Sequence, residues 1–391
     1  MYPTVWRMLL VVKVTATVFI VFLFALIIDK LDHLDVEPEL ITIGSFDHPD
    51  TFHITYALPP SYEKKFLLDP FIVKPHAKME DLPDLTTLNW SVPMAASELS
   101  DKLDSVRDEV NQREPFEPVM SQSQIAVARR LLKVFSDLMI SHGYGDRFWL
   151  TGGTLVGSYH FHDFIPWDDD VDVLADSKLR PEIQRLLKQL EPEYQTYVMR
   201  ERDKLFTKPN NSTGPNQDLE YSRYTSNNPW AWPFVDIGYY SVGPTHTCES
   251  TWRFGRGSCI PNSIIFPLIY RPFGTNWYPA PSNSPEYLHL MYRMRSSCVT
   301  FGYSHIYEGG SKFARVPCYT LVDRYAFARH LSVSEAPVIV DDPSLSKIFV
   351  VDVELLMKKT PSGWILVHQI RLPIRRKTVQ QIGGYGVPDS R

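Results

Sequence analysis

Within residues 121–142, apolar side chains recur at steps of three and four: Ile125, Ala128, Leu131, Leu132, Phe135, Leu138 and Met139. That period draws one buried stripe down a helix. His142-Gly143-Tyr144-Gly145 then closes it with residues suited to a helix C-terminus. Residues 97–109 and 179–190 carry the same helical period. Elsewhere the pattern is that of strands. Phe148-Trp149-Leu150 is a short apolar run, residues 170–173 alternate acid with valine, residues 194–199 are compatible with a strand, and residues 230–238 read as an apolar strand. Near the C-terminus, residues 347–353 and 364–370 flank the turn Thr360-Pro361-Ser362-Gly363 and predict a β-hairpin. Residues 31–94 are rich in Pro, Asp and Thr, with two short β-like pieces at 40–43 and 51–55, and read as a stem. Helices and strands alternate without repeats, which predicts an α+β fold with a mixed sheet flanked by helices.

Candidate chemistry concentrates in residues 149–173, WLTGGTLVGSYHFHDFIPWDDDVDV. Gly152-Gly153-Thr154 directly follows an apolar strand. Glycines there let the backbone turn and approach a ligand, and Thr154 is placed to cap a helix whose start is a natural anion site. After Ile165-Pro166-Trp167 come Asp168-Asp169-Asp170-Val171-Asp172-Val173. Strand alternation puts Asp170 and Asp172 on one face, with Asp168 on the same parity. Carboxylates so close repel one another unless a cation lies between them, and hard oxygen ligands point to Mg²⁺ or Mn²⁺. Downstream, Asp236 sits alone between Val235 and Ile237 in an apolar run. A buried acid needs a cation or a donor, which makes Asp236 the candidate third carboxylate.

Gly152-Gly153-Thr154-Leu155-Val156-Gly157, together with Phe164-Ile165-Pro166-Trp167-Asp168-Asp169-Asp170-Val171-Asp172, resembles the signature of the LicD/fukutin family. The resemblance covers about a quarter of the chain, from the helix before Trp149 to Asp236. It implies a nucleotidyltransferase-like fold and a phosphotransferase that moves phosphocholine, ribitol phosphate or a similar group. The implied partners are a CDP-linked donor and a glycan or glycoprotein acceptor. Carried onto this chain, it assigns Gly152, Gly153 and Thr154 to the donor's phosphates. Metal binding then falls to Asp168, Asp170, Asp172 and Asp236, with Asp170, Asp172 and Asp236 catalytic. One position departs from the family, which usually has Arg where this chain has His160. Histidine is only partly protonated near neutrality, so a phosphate contact there would be weaker or pH-dependent.

The N-terminus adds a location. Residues 14–28 carry no charge, and stepping over Lys13 extends the apolar run back to Met8, near the roughly 20 residues a bilayer requires. Arg7 and Lys13 precede the run, and Asp29, Asp32 and Asp35 follow it. The positive-inside rule then predicts a single-pass signal anchor with the bulk of the chain in the ER or Golgi lumen. Ala25-Leu26-Ile27-Ile28-Asp29 offers no small-x-small cleavage site. The sequons at Asn89, Asn210 and Asn211 agree with a lumenal domain. So do Cys248, Cys259, Cys298 and Cys318, which contain no C-x-x-C pair and predict one or two disulfides, with three pairings open if all four are bridged. Of 391 residues 44% are hydrophobic and the net charge is −5, so nothing points to nucleic acid.

These readings divide the chain into a cytoplasmic tail at 1–7, a transmembrane anchor at 8–28, a lumenal stem at 29–95, a catalytic domain at 96–335 and a hairpin extension at 336–391. Within the segment 270–318, Arg293, Arg295, His305 and Lys312 are spaced donors able to meet phosphates, with His305 the residue to test. Two alternatives stay open. One is a glycosyltransferase whose Asp-x-Asp holds a sugar nucleotide, against which the Gly-Gly-Thr turn argues. The other is a non-catalytic glycan-binding protein of the same fold.

Overall fold

The structure, a computed structural model, describes residues 41–42, 55–56, 66–97, 103–209, 221–250, 259–292, 297–333, 338–339 and 342–375. The expected anchor at 8–28 lies outside the described residues, as do Asn210, Asn211, Arg293 and Arg295. Among the described residues no helix is long and apolar enough to cross a membrane. The chain divides into two units, Met1–Glu63 and Lys64–Arg391. In the first, Ile41–Thr42 pairs antiparallel with Thr55–Tyr56.

The second unit is a mixed α+β structure. Its first helices are α1 (Leu103–Gln112) and α2 (Gln122–Ser141). Ser121 and Gln124 form a reciprocal capping box at the start of α2, so two backbone donors that the helix cannot satisfy are satisfied by side chains. Of the apolar stripe read from the sequence, all but Leu138 are buried. Gly143, at φ +75°, turns the chain out of the helix.

The next elements are β1 (Phe148–Leu150), α3 (Gly152–His160), β2 (Val171–Asp176), α4 (Arg180–Lys188), β3 (Tyr194–Val198) and β4 (Asp203–Thr207). β5 (Phe234–Val242), β6 (His246–Glu249) and β7 (Cys259–Pro261) follow. The seven strands form one sheet. β2 pairs antiparallel with β1 and parallel with β5. The far edge of β5 is shared, with β4 along its first half and β6 along its second, both antiparallel. All six residues of β2 and the first seven of β5 are buried. Burial on both faces suits a parallel pair at the centre of a sheet, and α2 covers one face through an edge-on contact of Phe135 with Phe148 at 5.3 Å.

Two long hairpins follow: β8 (Ile269–Phe273) with β9 (Asn276–Ala280), and, after α5 (Ser284–Tyr292) and β10 (Phe327–Val333), β11 (Phe349–Thr360) with β12 (Gly363–Arg375); between α5 and β10, Ser297–Val299 pairs with Arg315–Pro317 and Tyr303–Ser304 with Gly309–Gly310. The last hairpin turns where the sequence predicts. β11 also pairs with β10, however, so the tail shares a sheet with the segment before it. Residues 66–95, read as the end of the stem, likewise lie in this unit; Leu68 and Phe71 are buried, and Phe71 meets Trp277 edge-on at 5.5 Å. The open cysteine pairing resolves as Cys248–Cys259 and Cys298–Cys318. The second bridge is buried with Phe161, Trp167 and Tyr325.

Between α3 and the tail sheet lies a buried charge network. Arg271 forks onto both oxygens of Glu354 at 2.8 Å each, and His162 Nε2 lies 2.8 Å from Glu354 Oε2. His162 Nδ1 reaches His368 Nε2 at 2.8 Å, while His330 Nδ1 is 2.8 Å from Asp352 and 3.4 Å from Glu354. Burial opposes charge on His330, but Glu354 and Asp352 push its pKa up to about 9. Burial, with His162 adding to it, takes His368 down to about 4. The ordinary value is 6.5. The folded chain therefore holds an extra proton at His330 between about pH 6.5 and 9, and one fewer at His368 between about pH 4 and 6.5. Stability is expected to fall on both sides of pH 6.5. Urea unfolding across that range checks this: His330→Gln should shrink the alkaline decline, leaving the share of His305, whose pKa is also raised, to about 10, and keep the acid one.

Candidate metal and phosphate site

The site begins where β1 hands over to α3. Gly152 has φ +60°, a left-handed conformation, and a Cβ on it would strike the Asp172 carboxylate. A Cβ on Gly153 would strike the carboxylate of Asp168. The two glycines thus let the first turn of a helix lie directly against two acids. The expected cap at Thr154 needs correction. Thr151 holds the cap position without a side-chain bond, and Thr154 lies one turn in, where its hydroxyl accepts the Asp172 N–H at 2.8 Å. Thr154 therefore fixes the strand that bears the acids rather than the end of its own helix.

Asp172 and Asp236 are direct partners in the parallel register of β2 and β5. Asp170, which immediately precedes β2, joins them, and the three offer carboxylate oxygens within 4.8 Å of one another. Their exposures are 5%, 2% and 3% for Asp170, Asp172 and Asp236, so this is no solvated acidic loop. An all-oxygen donor set of this kind suits a hard divalent ion such as Mg²⁺ or Mn²⁺. Asp168 is not one of the three. Burial holds its pKa well above the ordinary carboxylate range, and repulsion from Asp170, Asp169 and Asp172 adds to the effect.

Each acid of the triad also meets a basic side chain. Arg202 reaches Asp172 at 3.2 Å, Asp236 at 3.6 Å and Glu249 at 3.2 Å. Lys204, paired with Asp236 in the β4–β5 register, donates to it at 2.8 Å and lies 3.5 Å from the Phe234 ring centroid. His305 Nε2 is 3.1 Å from Asp170. Burial alone would lower the pKa of His305, but Asp170, Glu308, Asp169 and Asp236 push it up to about 10. A carboxylate has two oxygens with about four lone-pair positions, so a basic partner does not exclude a metal. Asp169 turns the other way. It accepts the Ser304 hydroxyl at 2.6 Å and the N–H groups of His305 and Ile306 at 3.0 and 3.3 Å.

Of the residues read from the sequence, Gly152, Gly153, Thr154, Asp168, Asp170, Asp172, Asp236 and His305 come together here. His160 does not. It lies at the opposite end of α3, about 12 Å along the axis at 1.5 Å per residue. It is 1% exposed and packed on Tyr159 at 4.8 Å. Burial holds its pKa well below the usual imidazole range, with His330 and Arg271 reinforcing the shift. Lys312 is exposed and donates to the Arg113 carbonyl at 3.2 Å. Sequence reasoning missed Arg202 and Lys204. Their signal was a two-residue step leading into apolar Leu205-Phe206, which puts both on one face of a strand.

A further group, His330, Asp352 and Glu354, also brings ligand atoms within 4.8 Å. The Arg271 fork on Glu354 argues for a structural network there rather than a metal site. At the Asp triad, Gly152→Ala is expected to weaken Mn²⁺ binding at least ~10-fold by displacing Asp172, and more than Gly153→Ala, whose Cβ meets Asp168 outside the triad. Gly152→Ala should also cost about 1 kcal/mol of stability or more, because alanine resists positive φ. Calorimetric Mn²⁺ titration and thermal melting of both variants check this.

The mixed sheet carries two acids on adjacent parallel strands, faced by a Gly-Gly helix start, a donor set that could hold a divalent ion beside an anion. Residues 145–283 match the family model described as LicD/FKTN/FKRP, nucleotidyltransferase domain, which supports the resemblance to the LicD/fukutin family and points to a phosphotransferase-type function. No curated protein matches the chain. The match ends before Ser304 and His305, which reach Asp169 and Asp170 from beyond it, and before Glu308, which faces His305 and Lys204.

Proposed function

We propose that the chain is a divalent-metal-dependent phosphotransferase that moves a phospho-alditol, phosphocholine or similar group from a CDP-linked donor to a glycan hydroxyl. The observation that carries this reading is Asp172 in register with Asp236, with Asp170 within 4.8 Å, beneath the Gly152-Gly153 turn. Asp170, Asp172 and Asp236 would hold Mg²⁺ or Mn²⁺, which when bound neutralises diphosphate charge. The N–H groups at the start of α3 bind the donor's phosphates. Asp236 orients the acceptor hydroxyl and takes its proton. The acceptor oxygen forms the new bond to phosphorus as the diphosphate linkage breaks, and a nucleoside monophosphate leaves.

We further propose that this domain works in the ER or Golgi lumen behind the N-terminal anchor. Two disulfides and an exposed sequon at Asn89 support an oxidising, glycosylating compartment. The functional reading is tested by binding of CDP, UDP and GDP to the purified chain, with and without Mn²⁺, beside Asp170→Asn. Mn²⁺-dependent CDP binding that the variant loses is the expected result. Preference for UDP or GDP would favour a sugar-nucleotide glycosyltransferase, and no binding to any of the three would overturn the reading.

A further inference from the structure

Beside the acid cluster, an open, shallow cleft lies between the segment 110–119 and the loops at 300–304 and 311–312, and Asp168 and Asp169 contribute to its lining. Except at Trp167, Asp168 and Asp169, its lining lies outside the residues that match the family model. We propose that this cleft is a saccharide subsite, with Phe301 and Tyr303 as the platform on which a neutral sugar ring lies. The proposal rests on the phosphotransferase reading only in naming that sugar as the acceptor.

Three observations carry it. First, Phe301 and Tyr303 are 47% and 44% exposed, two large aromatic rings flanking one glycine at the cleft. Two adjacent exposed rings at a cleft offer a surface that the apolar face of a ligand can cover. Phe116 and Trp167, deeper in, already meet each other edge-on at 5.1 Å.

Second, the platform is fixed in advance. Strands Ser297–Val299 and Arg315–Pro317 pair beneath it, and the Cys298–Cys318 bridge joins the two sides. The Trp167 indole donates to the Val299 carbonyl at 2.9 Å, and the Tyr303 hydroxyl donates to Glu308 at 3.0 Å. A rigid platform loses little conformational freedom when a ligand binds.

Third, the charges select the ligand. The rim carries Arg113 and Lys312 but also Glu114 and Glu117, and the inner end carries Asp168 and Asp169. An anionic ligand would meet four carboxylates. A neutral polyol would not, and its hydroxyls both donate to acids and accept from bases, while the C–H face of its ring lies on an aromatic surface.

The test uses saturation-transfer NMR on the full chain, with the methyl glycosides of glucose, galactose, mannose and N-acetylglucosamine as probes and CMP as the competing aromatic ligand. At least one glycoside is expected to bind. Phe301→Ala and Tyr303→Ala should weaken it roughly tenfold. Tyr303→Phe, which keeps the ring, should retain it, as should Tyr319→Ala, a similarly exposed aromatic that does not line the cleft. Absence of glycoside binding, or equal binding in all four variants, overturns the subsite. So does loss of CMP rather than glycoside from the two alanine variants, which would make the platform a base-stacking surface. Failure of the phosphotransferase reading is seen separately. If the unsubstituted chain binds no nucleotide with Mn²⁺ yet the ring-dependent glycoside binding holds, the subsite stands without it.

Discussion

In chelator-treated protein, Asp168→Asn is expected to raise the melting temperature and Asp172→Asn to lower it, although both remove one negative charge from the same cluster. The difference lies in what each acid faces. Asp168 is buried beside Asp170, Asp169 and Asp172, and its raised pKa means that the folded chain resists its ionisation. Each pKa unit of that rise removes about 1.4 kcal/mol of stability at neutral pH, and at about 2–4 °C per kcal/mol the gain is readily measured. The sign follows from linkage. The penalty is absent below the unfolded pKa and grows as pH rises to the folded value, so the benefit of asparagine should vanish in acid. Asp172, in contrast, is 2% exposed and paired with Arg202, so asparagine leaves part of a buried cation unmatched. Added Mn²⁺ should then raise the melting temperature of the unsubstituted chain and leave Asp172→Asn almost unmoved, since a bound ion stabilises only the state that binds it. A rise of equal size in both proteins would remove Asp172 from the metal site.

The contrast also marks what the sequence could reveal. Strand parity separates Asp170 and Asp172 from Val171 and Val173, and an acid isolated in an apolar run singles out Asp236. Both are local patterns, and both residues of the β2–β5 pair were legible from them. The partners were not. Arg202 and Lys204 lie in a stretch of mixed charge that reads as solvated surface, and only pairing with β5 turns Lys204 onto Asp236. Asp169 is held by Ser304, His305 and Ile306, about 135 residues away, a distance no periodicity spans. His160 was misplaced for a different reason. The phosphate role came from the resemblance, whereas the length of α3 carries the residue to the far end of the helix. Thr154 has the chemistry of a cap, but the turn begins at Gly152 because that residue can take φ +60°.

Glu354→Gln is expected to destabilise the chain by about 3–5 kcal/mol, the largest loss from any single substitution proposed for the tail sheet. Glu354 is fully buried, and its carboxylate accepts both arms of the Arg271 fork while facing His162 and His330. Burial alone would raise its pKa, but Arg271 and His330 hold it well below the usual range, so the fold depends on the ionised form. Glutamine keeps the shape and removes the charge, and Arg271, 2% exposed, is left without its buried counter-ion. A structural pair also predicts how the loss is undone. Arg271→Met combined with Glu354→Leu removes both charges and should be less destabilising than either single substitution, because well-packed apolar side chains can replace a buried ion pair at little cost. His330 retains Asp352 at 2.8 Å in that double variant, which limits the residual imbalance. Urea unfolding of the two singles and the double gives the coupling directly. Additive losses would mean that Arg271 and Glu354 act independently.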